Sequence, residues 1–191
     1  MAQHGRMFDP FAGVAATPEE KAASRPGDLL VDPADVVMDR AFTLDAPPEA
    51  VWPWLVQLGK GRAGWYLPRS VERVVPRGRR AVRNVDPRWQ DLAVGDVIPD
   101  YGGKHETFTV AELRPASYVV YTSRRGRTQV TWTLQVLPSP AGTRVHLRLR
   151  LAPVRRVWLA ESVGDWFDGL TVAGMAAGLR ERVADAAASH G

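Results

Sequence analysis

The segment Tyr101-Gly-Gly-Lys-His-Glu is dense in groups that can move a proton. Glu106 precedes Phe108 and Val110 at alternate positions, so strand alternation gives it their side of a sheet. A carboxyl held among apolar neighbours titrates above its usual range and can serve as acid or base. The competing placement is a strand-end glutamate that bends to solvent or pairs with an arginine. His105 has the opposite parity and faces out, unless Gly102-Gly103 introduces a bulge. Tyr101 and His105 together can protonate a ligand carbonyl from a rim loop; the plainer reading makes both exposed loop residues. Tyr66 completes a candidate acid/base set of Glu106, Tyr66, Tyr101 and His105.

Other chemistry has weaker support. Asp165 and Asp168 flank Trp166-Phe167, and one of them can reach a cavity mouth from a helix. Otherwise they are surface carboxylates near Arg155 and Arg156. His146 stands between Arg144 and Arg148 and reads as solvated. His4 and His190 lie near the ends, and four histidines without paired spacing make no metal site. No metal or cofactor is expected. Gly59-Lys-Gly-Arg-Ala-Gly lacks the Gly-Lys-Ser/Thr ending of a phosphate-binding loop. No Gly-x-Ser-x-Gly nucleophile turn occurs. The chain has no cysteine, which removes thiolate ligands, disulfides and a cysteine nucleophile.

The elements that must position these residues follow from pattern. Residues 1–35 show little periodicity and read as a mostly disordered or draped extension, with a capped turn at Thr17-Pro-Glu-Glu. Residues 36–188 read as one domain. Val36 to Leu44 is the first strand. Asp45 and the two prolines after Ala46 open a helix that ends at Gly59 and Gly61. Gly64 to Val75 predicts a second short helix ended by Pro76, and a basic loop spans Arg77 to Arg88. Four strands then come close together: Glu106–Leu113, Tyr118–Ser123, Thr128–Leu137 and Thr143–Leu151. Their connections are too short for crossover helices, so the sheet is antiparallel. From about Trp158 to Ala188 the pattern is helical, with glycines that allow close approach to the sheet or a slight kink. The fold class is therefore α+β.

In the last two strands Val130, Trp132, Leu134 and Val136 alternate with polar residues, as do Val145, Leu147, Leu149 and Leu151. Such a sheet has one buried face and one wet face. Inward parity gives Phe108, Val110, Tyr118, Val120, Trp132, Leu134, Leu147 and Leu149. Trp65, Tyr66, Trp166 and Met175 are placed to close a cavity. The ligand-lining candidates are Trp65, Tyr66, Phe108, Tyr118, Trp132, Leu147, Trp166 and Met175; each can equally be plain core.

The chain has 191 residues, 45% of them hydrophobic, and a formal net charge of +4. Lysine occurs only at Lys21, Lys60 and Lys104, so the positive charge is carried by dispersed arginines. No docking motif accompanies them, and nucleic-acid binding is not expected. There is no secretory h-region and no apolar run near the ~20 residues of a bilayer span. The expectation is a cytoplasmic protein without membrane insertion, monomeric or homodimeric.

Four stretches carry a family resemblance. Asp45-Ala-Pro-Pro-Glu-Ala-Val-Trp-Pro-Trp-Leu-Val-Gln-Leu-Gly looks like a strand-to-helix opening of bacterial START/SRPBCC proteins, the superfamily of polyketide cyclase/dehydrase-like proteins. Gly61-Arg-Ala-Gly-Trp-Tyr, Trp89-Gln-Asp-Leu-Ala-Val-Gly-Asp-Val-Ile-Pro and Thr143-Arg-Val-His-Leu-Arg-Leu-Arg match later signatures. The resemblance implies a helix-grip fold, a curved antiparallel sheet wrapped around a long C-terminal helix, with two short helices after the first strand. It also implies an apolar cavity for a small hydrophobic molecule, lipid-like or aromatic. A polyketide cyclase or dehydratase is the alternative, and an interaction protein using the basic surface a further one. The stretch Leu67-Pro-Arg-Ser-Val-Glu departs from the tyrosine- and aspartate-containing pattern of such relatives.

Overall fold

In the computed structural model, residues 12–101, 103, 105–155 and 165–189 are described, residues 12 and 165–167 by backbone alone. Six strands among them form one antiparallel sheet: β1 (Val36–Leu44), β2 (Val97–Pro99), β3 (Thr107–Arg114), β4 (Tyr118–Arg125), β5 (Thr128–Ser139) and β6 (Gly142–Ala152). Their spatial order is β1-β6-β5-β4-β3-β2. Three α-helical segments accompany β1: α1 (Pro18–Ala22) before it, α2 (Pro48–Gln57) and α3 (Arg69–Glu72) after it. The long helix α4 (Asp165–Ala188) closes the described chain, so this is the α+β helix-grip arrangement.

Local chemistry explains the boundaries. Thr17 and Glu20 form a reciprocal capping box on α1. Pro48 opens α2, and Pro53 still lies close enough to its start to be tolerated. The second short helix is only four residues long, not the longer one expected from Gly64 onward. Gly64 is left-handed at φ +86 and Pro68 is extended at the cap, so Trp65 to Leu67 cannot be helical.

The core lies between the inner sheet face and the helices. Phe42, Leu44, Trp54, Leu55, Tyr66, Leu134, Met175 and Leu179 are all buried there. A Cβ on Gly178 would sit 2.6 Å from the Leu67 nitrogen and 2.7 Å from the Tyr66 carbonyl carbon. The helix glycine thus serves close approach to the Tyr66–Leu67 segment, not to the sheet. Arg182 ties the same contact. It donates to Leu67, Gly178, Val82 and Ala81 carbonyls, pairs with Glu72 Oε1 at 2.6 Å, and lies over the Tyr66 ring at 4.8 Å. A fully buried guanidinium is tolerable only when so completely partnered.

The outer sheet face is not wet. Residues 16–35 lie across it, whereas Val14 joins the inner core and Ala15 bridges Arg40 along the β1 edge. Arg148 donates to Asp39, Asp28 and three carbonyls of Glu20, Lys21 and Ala23. Arg144 pairs with both oxygens of Glu20 at 2.8 Å, and Arg25 reaches Gln135 at 2.9 Å. The arginines and threonines that alternate along β5 and β6 face this polar cover. His146 is therefore fully buried rather than solvated, with Nε2 3.2 Å from Asp39 Oδ1.

Candidate functional site

The recess with a mainly aromatic and aliphatic lining lies between the sheet and the start of α4. Its cavity volume is about 410 Å³, and its apolar walls include Trp65, Phe108, Trp132, Leu149 and Val172. Trp65 leaves the left-handed Gly64 and donates its indole N–H to the Thr171 carbonyl at 3.2 Å, which fixes the ring against α4. Trp65 and Trp132 are near-parallel, 23° between planes and 6.1 Å between centroids. Trp132 stacks on Tyr121 at 5.7 Å and packs on Phe108 at 5.8 Å. Locked aromatic rings give a wide, flat apolar surface at little entropic cost.

Polar groups reach the same recess from two sides. Asp100 is 5% exposed and pairs with Arg125, whose guanidinium packs over Phe108 at 5.8 Å. Lys60 holds the Asp100 loop by donating to the carbonyls of Asp100 and Gly103 at 3.0 and 2.9 Å. Asp168 on α4 pairs with Arg40 of β1 at 3.1 Å. Tyr101 stands at the rim, 52% exposed, edge-on to Trp65 at 6.0 Å. Asp168 thus takes the cavity-mouth placement considered for the helix carboxylates. Such an arrangement can hold a flat apolar body against one aromatic wall and offer guanidinium donors and carboxylate acceptors to its polar edge.

The four acid/base candidates do not meet. Tyr101 alone of them lines this recess. Tyr66 is fully buried in the core, donates its hydroxyl to the Trp54 carbonyl at 2.8 Å, and has its pKa pushed up by burial. Glu106 and His105 instead line a polar depression on the outer face, with Leu30, Val31, Thr107 and Thr109. Glu106 lies outside β3, which begins at Thr107, so strand parity has no hold on it. Its carbonyl accepts from the Asp100 N–H at 2.8 Å, which turns the loop back and leaves Asp100 as the recess carboxylate.

Among the ligand-lining candidates, Trp65, Phe108 and Trp132 meet at the recess. Leu147 and Met175 are core residues at 3% and 0% exposure and are not part of its wall. Tyr118 faces outward: it pairs with Gln135 of β5, while Tyr121 pairs with Trp132 and takes the inward side. The run Tyr118-Val-Val-Tyr has no polar alternation to set its phase, because both faces of β4 are covered. The side chain of Trp166 lies outside the described residues. Asp100, Arg125, Arg40 and Tyr121 were missed by sequence reasoning. A lone Asp after Val-Ile-Pro gives no signal, and Arg40 interrupts the apolar parity of β1 too briefly to be read. Among the described residues no group of three or more His, Asp or Glu side chains could hold a metal ion.

The chain is similar to several solved bacterial proteins. A solved Rhodobacter sphaeroides protein is 14% identical, with a TM-score of 0.50 over 81% of this chain and 96% of its own, and so shares the fold. A Nitrosomonas europaea protein is 18% identical over 79% of this chain and 96% of its own, with a TM-score of 0.49. A Mesorhizobium loti protein is 18% identical over 78% of this chain and 98% of its own, with a TM-score of 0.48. No curated protein matches the chain. The family model described as polyketide cyclase / dehydrase and lipid transport matches residues 35–190, and the chain belongs to that family.

Proposed function

We propose that this protein binds a small hydrophobic molecule, flat and aromatic or lipid-like, in the recess between Trp65, Trp132 and α4. The paired indoles carry the reading. Two near-parallel rings at 6.1 Å, one hydrogen-bonded to the long helix, form the wall of a 410 Å³ recess that otherwise has little reason to stay open. Arg125 and Asp100 supply the polar end and select a ligand that carries an oxygen or nitrogen at one edge. The candidate site is then Trp65, Phe108, Trp132, Tyr101, Asp100 and Arg125. No helix among the described residues is long and apolar enough to cross a membrane.

A cyclase or dehydratase is the second reading, favoured by one observation. Asp100 and Asp168 both reach the recess, each beside a guanidinium. One carboxylate would take a proton while Arg125 steadies the oxygen that gains charge. Glu106, His105 and Tyr66 have no place in this chemistry, because none of them faces the recess.

The test is native purification followed by denaturation and mass spectrometry of anything released. A stoichiometric apolar compound, absent from Trp132→Ala protein, is the expected result. Trp132→Ala should also weaken binding of an added aromatic ligand by about tenfold or more, the loss of one stacked ring and its buried area. Equal ligand content and affinity in wild type and Trp132→Ala would end the proposal. Turnover lost in Asp100→Asn with binding retained would favour the enzyme.

A further inference from the structure

We propose that the surface around α3 and the following turn docks on an anionic lipid membrane, as a site separate from the recess. Arg69, Arg73, Arg77, Arg79, Arg80 and Arg83 come from one short segment. Three carboxylates stand near them. Asp185 pairs with Arg69 at 2.8 Å, and Glu72 and Glu181 each pair with Arg83 at 2.7 Å. Arg73, Arg77, Arg79 and Arg80 have no carboxylate partner within ion-pair distance among the described residues. Arg80 is instead spent on the carbonyls of Val75 and Arg73, which fixes the turn and projects its neighbours. A depression of about 450 Å³ lies among Arg69, Glu72, Arg73, Arg80, Ala81 and Arg83, wide enough for a headgroup phosphate, with the Glu72 carboxylate in its wall held by Arg83 and Arg182.

The occupant is chosen by what sits between the charges. Val74 is 84% exposed and Val71 42% exposed, both within the arginine cluster. Guanidiniums round exposed aliphatic side chains suit a headgroup layer, where the charges meet phosphate and the methyls enter the acyl boundary. Single-stranded nucleic acid would call for stacking aromatics, and residues 69–80 contain none. The patch adjoins Glu181 and Asp185 of α4, whereas the recess adjoins Asp168 and Thr171. The recess wall reaches Val172 and the patch begins at Glu181, so nine residues at 1.5 Å each put roughly 14 Å of helix between them. The inference therefore stands whether or not the recess binds a ligand.

The experiment is co-sedimentation of the full chain with vesicles of phosphatidylcholine, alone or with one-third phosphatidylglycerol. Pelleting should need the anionic lipid and should fall as sodium chloride is raised, because surface charges are screened. Arg73→Glu/Arg77→Glu/Arg79→Glu should weaken the partition by about 100-fold, at roughly fivefold per cation lost. Val74→Asp should weaken it about threefold or more, through lost burial of the side chain. Arg124→Glu/Arg127→Glu, exposed cations at the β4–β5 turn, should change it by less than about threefold. Arg73→Gln with Arg79→Gln keeps side-chain bulk and should give the same ordering if the charge reversals lower the melting temperature. Equal pelleting with both vesicle types, no effect of Val74→Asp, a control as damaging as the patch variant, or tighter binding of a single-stranded oligonucleotide would each overturn the proposal.

Discussion

His146 shows how much a single side chain depends on its cover. Burial, then the nearby Arg25 and Arg148 charges, lowers its pKa to about 4. The folded state therefore holds a neutral imidazole where the unfolded chain, with a pKa near 6.5, takes up a proton. Stability from this group is full above about pH 6.5 and is lost as pH falls toward 4, by roughly 3 kcal/mol in total. Asp39 beside it is shifted upward by burial, outweighing Arg148, and acts with the opposite sign. Thermal melts across that window should show His146→Gln with a flatter pH dependence than wild type. An unchanged slope would mean that another group sets it. Glu20 acts lower: its hydrogen bonds to Arg144 pull its pKa to about 2, so its contribution is present above the normal carboxylate range and lost below it.

At the scale of elements, α4 and the Tyr66–Leu67 segment are one unit. Alanine in place of a helix glycine ordinarily adds up to about 1 kcal/mol of helix stability. Gly178→Ala should do the reverse here and cost about 1–3 kcal/mol, since its Cβ meets backbone at 2.6 Å. Gly174→Ala meets only the Leu67 side chain at 3.0 Å, which can turn aside, and should be much milder. Chemical denaturation of the two variants gives the comparison, and equal stabilities would refute the close-approach account. Strand β4 carries a second lesson at this scale. Its bulge partner β3 shifts register between Val110 and Glu112, so neighbouring strands do not keep one simple parity along their length.

Across the whole molecule the sheet is covered on both sides, by helices within and by residues 16–35 without. Gly27 shows the intimacy of the outer cover: a Cβ there would meet Val120 at 2.5 Å. Removing residues 1–34 should expose Val120, Thr131, Thr133 and His146, all buried in the intact chain. The truncated protein should melt earlier, by about 2–4 °C per kcal/mol of cover lost. An unchanged melting temperature would mean that the extension adds little. We hold the extension to be part of the folded unit for this reason.

The sequence by itself determined the fold class, the order of elements and the phase of β5 and β6. There the apolar and polar residues alternate without interruption, and period two leaves one choice of faces. It also singled out Phe108 and Trp132 by strand parity, and Trp65 within the stretch Gly61-Arg-Ala-Gly-Trp-Tyr that carries the family resemblance. Only the tertiary structure decided which carboxylate enters the recess. Glu106 lies outside the strand that would have aimed it, and the turn from Asp100 back to Glu106 is closed by a backbone hydrogen bond that no side-chain pattern encodes. It alone placed Tyr121 inward and Tyr118 outward, because a strand buried on both faces carries no alternation to read. The same cause hid His146. An arginine-studded face looks wet along the chain, and becomes buried when a distant segment brings its own acids and carbonyls to meet it.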